Sequence, residues 1–532
     1  MSHLPDFFPF PAKATKHRLF YILFFIAISI SFPTKAQTKI ELINADISEF
    51  DEKVNTKAMR LIGNVKFRHE SALMGCDSAY LFRDENRLEA FGHIRITQGD
   101  SMTLTGGLLH YDGETKIAEV FERIVLTDGK MTLHTKKINY NLSNATAFYT
   151  DSANIVDNEN VLTSKTGYYY SDSKDLYFKK DVLLKNPKYN LDCDTLRYNT
   201  FSKTAFFLGP TNITTKESRM YCEKGWYNTV KQTSSFVGPS YLKTDNQVVR
   251  GDSIYYDQKK GIGKAFYHVS ITDTAQKIII RGDYAEHHPI TDSSWVTLKA
   301  EMVQYDEHDS LFLHADTLLA IGKNSVDDKN RINKERENKK DILAYHHVKI
   351  YKSDLQGACD SLVYSSSDST IRFFNKPVLW SGYNQMTADS ISLITSGGAL
   401  SRIILSTNAF LVSMADTLQT GPQDSLRFNQ IAGKKMTGLF KDNNLYKLDV
   451  KGNGQSIYYA LNKKQRSVAV NRADCSDLGI KINKNQVKQI NLINDPEGTL
   501  YPLKDISPKD AKLKGFSWQL HRRPVSRNSI FE

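Results

Sequence analysis

The chain is 532 residues long, 40% hydrophobic and 24% charged, which excludes a disordered polymer and allows more than one core. Tyr and Phe at 27 each beside 10 Met lean towards strands, because flat rings suit a pleated, half-buried surface. The formal charge of +11 suits anionic partners such as lipid phosphates.

Residues 1–36 read as a secretory signal. Lys13, Lys16 and Arg18 precede an apolar run from Leu19 to Phe32, and Thr34 and Ala36 are small residues suited to cleavage. The run is shorter than the roughly 20 residues that span a bilayer, so cleavage is expected rather than anchoring. Export makes nucleic acid an unsuitable partner.

From residue 37 onward a unit recurs. Its form is Leu191-x-Cys193-Asp194-x-Leu196-x-Tyr198, with clear copies around Asp77, Asp252 and Asp389. Weaker copies place Gly107, Lys136, Thr166 and Glu223 at the Asp position. From Asp77 to Asp283 the steps are 30, 29, 30, 28, 29, 29 and 31 residues. The second half of each unit is another short strand, often opened by glycine, as in Gly63-Asn64-Val65 and Gly92-His93-Ile94. Two strands and their turns per unit of about 29 residues predict an all-β, folded antiparallel sheet.

Within the motif, apolar residues sit at the third and first positions before the Asp, then at the second and fourth after it. A regular strand keeps one parity, so the switch predicts a bulge or crease at the Asp. Cys76, Cys193, Cys222 and Cys359 immediately precede that position, where other units carry Gly106, Gly251, Gly282, Ala315 or Ala388. They read as small residues wanted at a bend, against a metal or redox alternative. The recurring Asp likewise reads as a turn or bulge residue, because a catalytic carboxylate pair would be needed once. The doublets His287-His288 and His346-His347 match no zinc spacing, and no Walker, dinucleotide or GxSxG motif is present. No enzyme activity, cofactor or metal is expected.

The spacing lengthens after Asp316. The charged stretch 323–341 reads as a loop or linker between an N-terminal array, 37–322, and a C-terminal one, 342–502. Residues 503–532 form a basic tail holding Phe516-x-Trp518 and Arg522-Arg523-Pro524.

The segment from Glu41-Leu42-Ile43-Asn44-Ala45-Asp46 through Gly63-Asn64-Val65, Cys76-Asp77, Gly92-His93-Ile94, Gly106-Gly107 and Tyr111-Asp112 resembles the LptA/OstA family, best over 40–200. The resemblance implies a twisted β-jellyroll with an apolar interior, a periplasmic or outer-membrane-associated setting, and transport of lipopolysaccharide. The implied partners are the lipid A acyl chains, other lipopolysaccharide-transport proteins met through sheet edges, and further copies end to end. Leu109, Tyr111, Ile138, Tyr140, Leu196, Tyr198, Ile254 and Tyr256 share the parity after the crease and are the expected groove residues. Rival readings are a β-helical polysaccharide-binding or polysaccharide-degrading protein and a closed envelope scaffold.

Overall fold

The computed structural model describes residues 38–50, 57–98, 102–127, 131–170, 172–288, 291, 293–305, 309–322, 340–396, 399–415, 427–441, 444–462, 466–483 and 486–532. The expected signal segment lies outside them. The described residues contain 34 strands, two short 3-10 turns and no α-helix. Alternating apolar residues make the strands, and Asp or Asn side chains close the turns. Asp112 Oδ1 accepts from the Glu114 and Thr115 amides, and Asn228 Oδ1 from those of Val230 and Lys231. Among the described residues the strands pair antiparallel, mostly with their neighbours in the chain, so the parallel rungs of a β-helix are ruled out.

The chain forms two compact units, one ending at Tyr149 and the other running from Thr150. The stretch expected to be a linker does not interrupt the sheet of the second unit. Ser310–Gly322 pairs directly with Lys340–Tyr351, from Phe312 opposite Tyr351 to Gly322 opposite Lys340. Lys340 and Asp341, expected at the end of the linker, open that strand, and 323–339 lie outside the described residues.

The predicted crease exists, and its mechanism is a two-against-one bulge. Lys180-Asp181 face Asp194 between the pairs Lys179–Thr195 and Val182–Cys193. The same occurs where Tyr267-His268 face Asp283, Leu298-Lys299 face Asp316, and His346-His347 face Asp360. The extra residue is on the return strand rather than on the Asp strand. Both of its residues are left-handed, as at Lys180 (φ 63°) and Asp181 (φ 53°), or Leu298 (φ 63°) and Lys299 (φ 60°). Single left-handed residues cost about 1 kcal/mol or more outside glycine, so tertiary packing must hold each bend. Where glycine takes the first place, its lack of a Cβ matters twice. Gly92 has φ +72°, and a Cβ there would lie 2.3 Å from the Asp77 carboxylate.

One register assignment shifts. Thr166 pairs with Lys179, so Lys165 rather than Thr166 occupies the crease, evening the neighbouring steps to 29 residues on each side. The doublet His346-His347 also finds its explanation at the crease, since His347 Nδ1 lies 2.9 Å from Asp316 and His346 Nδ1 lies 3.2 Å from Asp360.

The bulges divide each strand into a first arm, before the Asp or after the return bulge, and a second arm on the other side. Each arm buries the parity predicted for it, and the two together form one core face. In the second unit the C-terminal tail lies as a strap on the opposite, back face of the first arm. Leu513, Phe516 and Trp518 pack with Phe410, Val412, Phe428, Ile457, Tyr459 and Val470. Buried glutamine amides hold the strap backbone as a strand neighbour would: Gln430 to Ala511 O and the Leu513 amide, Gln385 to Ser517 O and the Gln519 amide. Gln356 Oε1 accepts from Arg523, and Glu301, 2% exposed, accepts from Arg527 at 2.9 and 3.0 Å. The arginines of the basic tail are therefore engaged within the chain.

Candidate lipid-binding groove

All eight expected groove residues fall on the core face of second arms, but the two units treat them differently. In the first unit Leu109 pairs across Val120 to Ile138, and Tyr111 across Ala118 to Tyr140. These four are at most 1% exposed. In the second unit one cross-strand row runs Leu196, Phe207, Gly225, Phe236, Ile254. The Phe207 and Phe236 rings stack at 6.4 Å across Gly225, whose missing side chain leaves them room. The adjoining row, one step towards the open ends, runs Tyr198, Ala205, Tyr227, Ser234, Tyr256. Leu196 and Ile254 are buried, Tyr198 and Tyr227 half-buried, and Tyr256 is 40% exposed.

The first unit is closed where its arm ends meet. Opposing apolar residues Phe67, Met74, Ile96, Leu104 and Leu126 of the first arms are all buried. Beyond them, side chains join one arm to the other. His69 bonds to the Tyr111 hydroxyl, the Tyr140 hydroxyl to Gln98, Lys116 to Glu70, and Gln98 Nε2 to Leu142 O at 3.3 Å. Burial, then the charges of Glu70 and Asp112, push the Tyr111 phenol well up, so it keeps its proton for this bond.

In the second unit the core face is sealed near the crease and open at the arm ends. Val182, Cys193, Cys222 and Val269 are buried, whereas Leu184, Ile213, Met220, Leu242, Val249, Ile271 and Ile280 are half-exposed. Further on the face closes again: Met302, Leu313 and Ile350 of the first arms are buried, as are Val296, Leu318 and Ala344 of the second. Sequence reasoning missed these first-arm residues because it scored parity after the crease. The signal was present in the positions three residues before the Asp, such as Val249 and Ile280.

The crease carries chemistry-bearing side chains without assembling a site. His93 and Asp77 pair at 2.7 Å, and His268 and Asp252 at 2.8 Å, all exposed. Among the described residues no three His, Cys, Asp or Glu converge on a metal-sized centre. The five thiols are free and buried. Burial pushes Cys76, Cys193 and Cys359 up to about 12 and Cys222 up to about 11, far from the thiolate needed for reaction. Cys475 faces Gly454 in the same place beside Ser476, completing the pattern.

Residues 37–194 match the family model described as OstA-like protein. No curated protein matches the chain. Among solved structures, the chain is similar to LptH of Pseudomonas aeruginosa, the LptA-homologous periplasmic component of its lipopolysaccharide transport device. The match is 13% identical, covers 20% of this chain and 82% of that one, and has a TM-score of 0.19. The family match falls on the creased two-strand repeat that the strand register shows, so residues 37–194 are similar to the OstA-like family in sequence and carry its repeat in structure.

Proposed function

We propose that this protein is a non-enzymatic periplasmic carrier of the lipopolysaccharide-transport type that holds acyl chains on the open core face of its second unit. The observation that carries the reading is the half-exposed apolar lining from Leu184 to Ile280, above a crease that stays sealed. Acyl chains need apolar area and no fixed polar partner, and burial of such area is worth roughly 25 cal/mol per Å². Tyr198 and Tyr256 border that lining on the second arms, and the buried Leu196 and Ile254 lie beneath them on the same face. Leu109, Tyr111, Ile138 and Tyr140 would meet lipid after the arm ends of the first unit part.

Edge strands suit assembly with other transport proteins or further copies. Glu41–Asn44 and Ile47–Phe50 expose Ile43, Ile47 and Phe50, and unpaired strand edges are templates for pairing. The closed first unit favours a second reading, a scaffold with no lipid cargo. A photoreactive residue at position 254 or 256 should crosslink to lipopolysaccharide, while one at 253 or 255, on the back face, should not. Equal labelling of both faces would overturn the groove, and labelling at neither would leave the scaffold.

A further inference from the structure

We propose that the back face of the second arm between Tyr168 and Trp226 is a binding platform for an anionic saccharide. The register places Tyr168, Tyr177, Arg197, Phe206 and Trp226 opposite one another on five successive strands. At a strand spacing of about 4.8 Å this row spans about 19 Å, perpendicular to the strands. All five side chains are half-exposed, on the face opposite the apolar core.

Side-chain contacts tie the row together. The Arg197 guanidinium lies 4.7 Å from the Phe206 ring centre and 5.9 Å from that of Tyr177. It is fixed there by Asp175, 3.0 Å from its Nε, and Asp175 is held in turn by Asn199 at 3.0 Å. Lys179 sits 5.5 Å over Tyr168, and Tyr170 meets Tyr177 edge to face at 5.8 Å. Tyr168, Tyr170, Ser173, Asp175, Tyr177 and Lys179 line a depression of about 340 Å³ at one end. Between the turns and the crease, the back-face strand positions from Thr166 to Asn228 carry Lys179, Arg197 and Lys224 and one carboxylate, Asp175, which is already bonded; the crease beside them adds Asp181, paired with Lys165, Asp194 and Glu223.

Flat rings in line offer their faces to the C–H faces of successive ring sugars, and interleaved cations offer partners for sugar carboxylates or phosphates. The feature is local. The corresponding row of the first unit reads Tyr80, Glu89, His110, Glu119, Asn139, with two acids and no Arg or Lys. Further along the second unit it becomes Trp295, Leu319, Leu343, Val363. A membrane-facing surface would spread its rings over a broad area, whereas these form a single cross-strand row. The platform does not depend on the groove, because the two occupy opposite faces.

The test is affinity electrophoresis of the full chain in native gels containing polygalacturonate, with dextran as the neutral control. Polygalacturonate should retard the protein and dextran should not. Tyr177→Ala and Trp226→Ala should each weaken retardation about tenfold, the scale of one lost ring stack, while Trp226→Phe retains it. Lys179→Gln should weaken binding and flatten its salt dependence. Competition by deacylated lipopolysaccharide would identify the sugar as lipid-linked, and its failure to compete would identify a free polysaccharide. Three outcomes overturn the proposal: no retardation by polygalacturonate, retardation unchanged in folded Tyr177→Ala and Trp226→Ala, or loss in these variants of phosphatidylglycerol-vesicle binding alone. Crosslinking at position 254 should stay unchanged in these variants, so failure of the platform and failure of the groove are distinguishable.

Discussion

The same repeat closes in the first unit and opens in the second, and the difference lies at the arm ends rather than at the crease. In both units the positions beside the crease are buried, as at Cys76 and Val65 or Cys193 and Val182. Away from it, Tyr111 and Tyr140 meet polar partners on the opposite arm and are sealed, while Tyr198 and Tyr256 border a half-exposed apolar lining. The crease sets the fold, and a few side chains at the rim set whether its interior is accessible.

The largest way to break this contrast is to place charge in both interiors. Ile138→Asp should destabilise the first unit by about 4 kcal/mol or more, because the carboxylate has no water and no partner. Tyr256→Asp, at an already exposed rim, should leave thermal unfolding nearly unchanged and weaken lipid capture about tenfold. Melting curves read beside crosslinking yields would show the contrast absent if both variants behaved alike.

The strap offers the next test. Burial raises the Glu301 pKa, but the hydrogen bonds and charges of Arg527 and Arg281 outweigh it and hold the carboxyl below its usual range. A lowered folded pKa contributes stability that is present above the unfolded value and lost as pH falls through the folded one. Acidification should therefore release the strap before the sheet unfolds, read as faster proteolysis after residue 503. Arg527→Ala should cost about 2 kcal/mol, less than for a fully buried pair, because Arg281 remains and Arg527 is half-exposed. Equal protease resistance of wild type and variant would remove the strap from the stability of this unit.

A smaller effect sharpens the comparison at the rim. Tyr111→Phe removes the hydroxyl that His69 meets and should cost about 1 kcal/mol. Combined with Gln98→Ala, it should let a photoreactive residue at 138 label lipid, and a doubly unlatched first unit that still gives no label would mark that interior as permanently closed.

The smallest effect is at the crease. The hydrogen bond and charge of Asp252 raise the His268 pKa, so this pair stabilises below the unfolded histidine value and its contribution is lost as pH rises through the folded one. Asp252→Asn should lower the melting temperature slightly at pH 5 and hardly at pH 8. An equal shift at both values would assign the Asp to the bulge backbone alone.

The strands, their period and the parity switch were legible because they are local: alternation reports which side of a strand is buried, and the switch reports a bend. The same locality made the small residues at Cys76, Cys193, Cys222 and Cys359 intelligible, since only the immediate neighbours of a crease constrain their size. The sequence alone placed all eight groove residues on one face. It did not divide them into sealed and open sets, because Tyr111 is sealed by His69, 42 positions away, and Tyr140 by Gln98, 42 positions away. Nor did it show the strap, whose glutamine and arginine contacts join positions 81 to 226 residues apart. The left-handed pairs at Leu298-Lys299 and His346-His347 were equally hidden. No residue-type preference announces them, and the packing of both arms around them supplies the energy that their backbone gives up. Period and parity belong to the chain, whereas closure belongs to contacts between segments that only folding brings together.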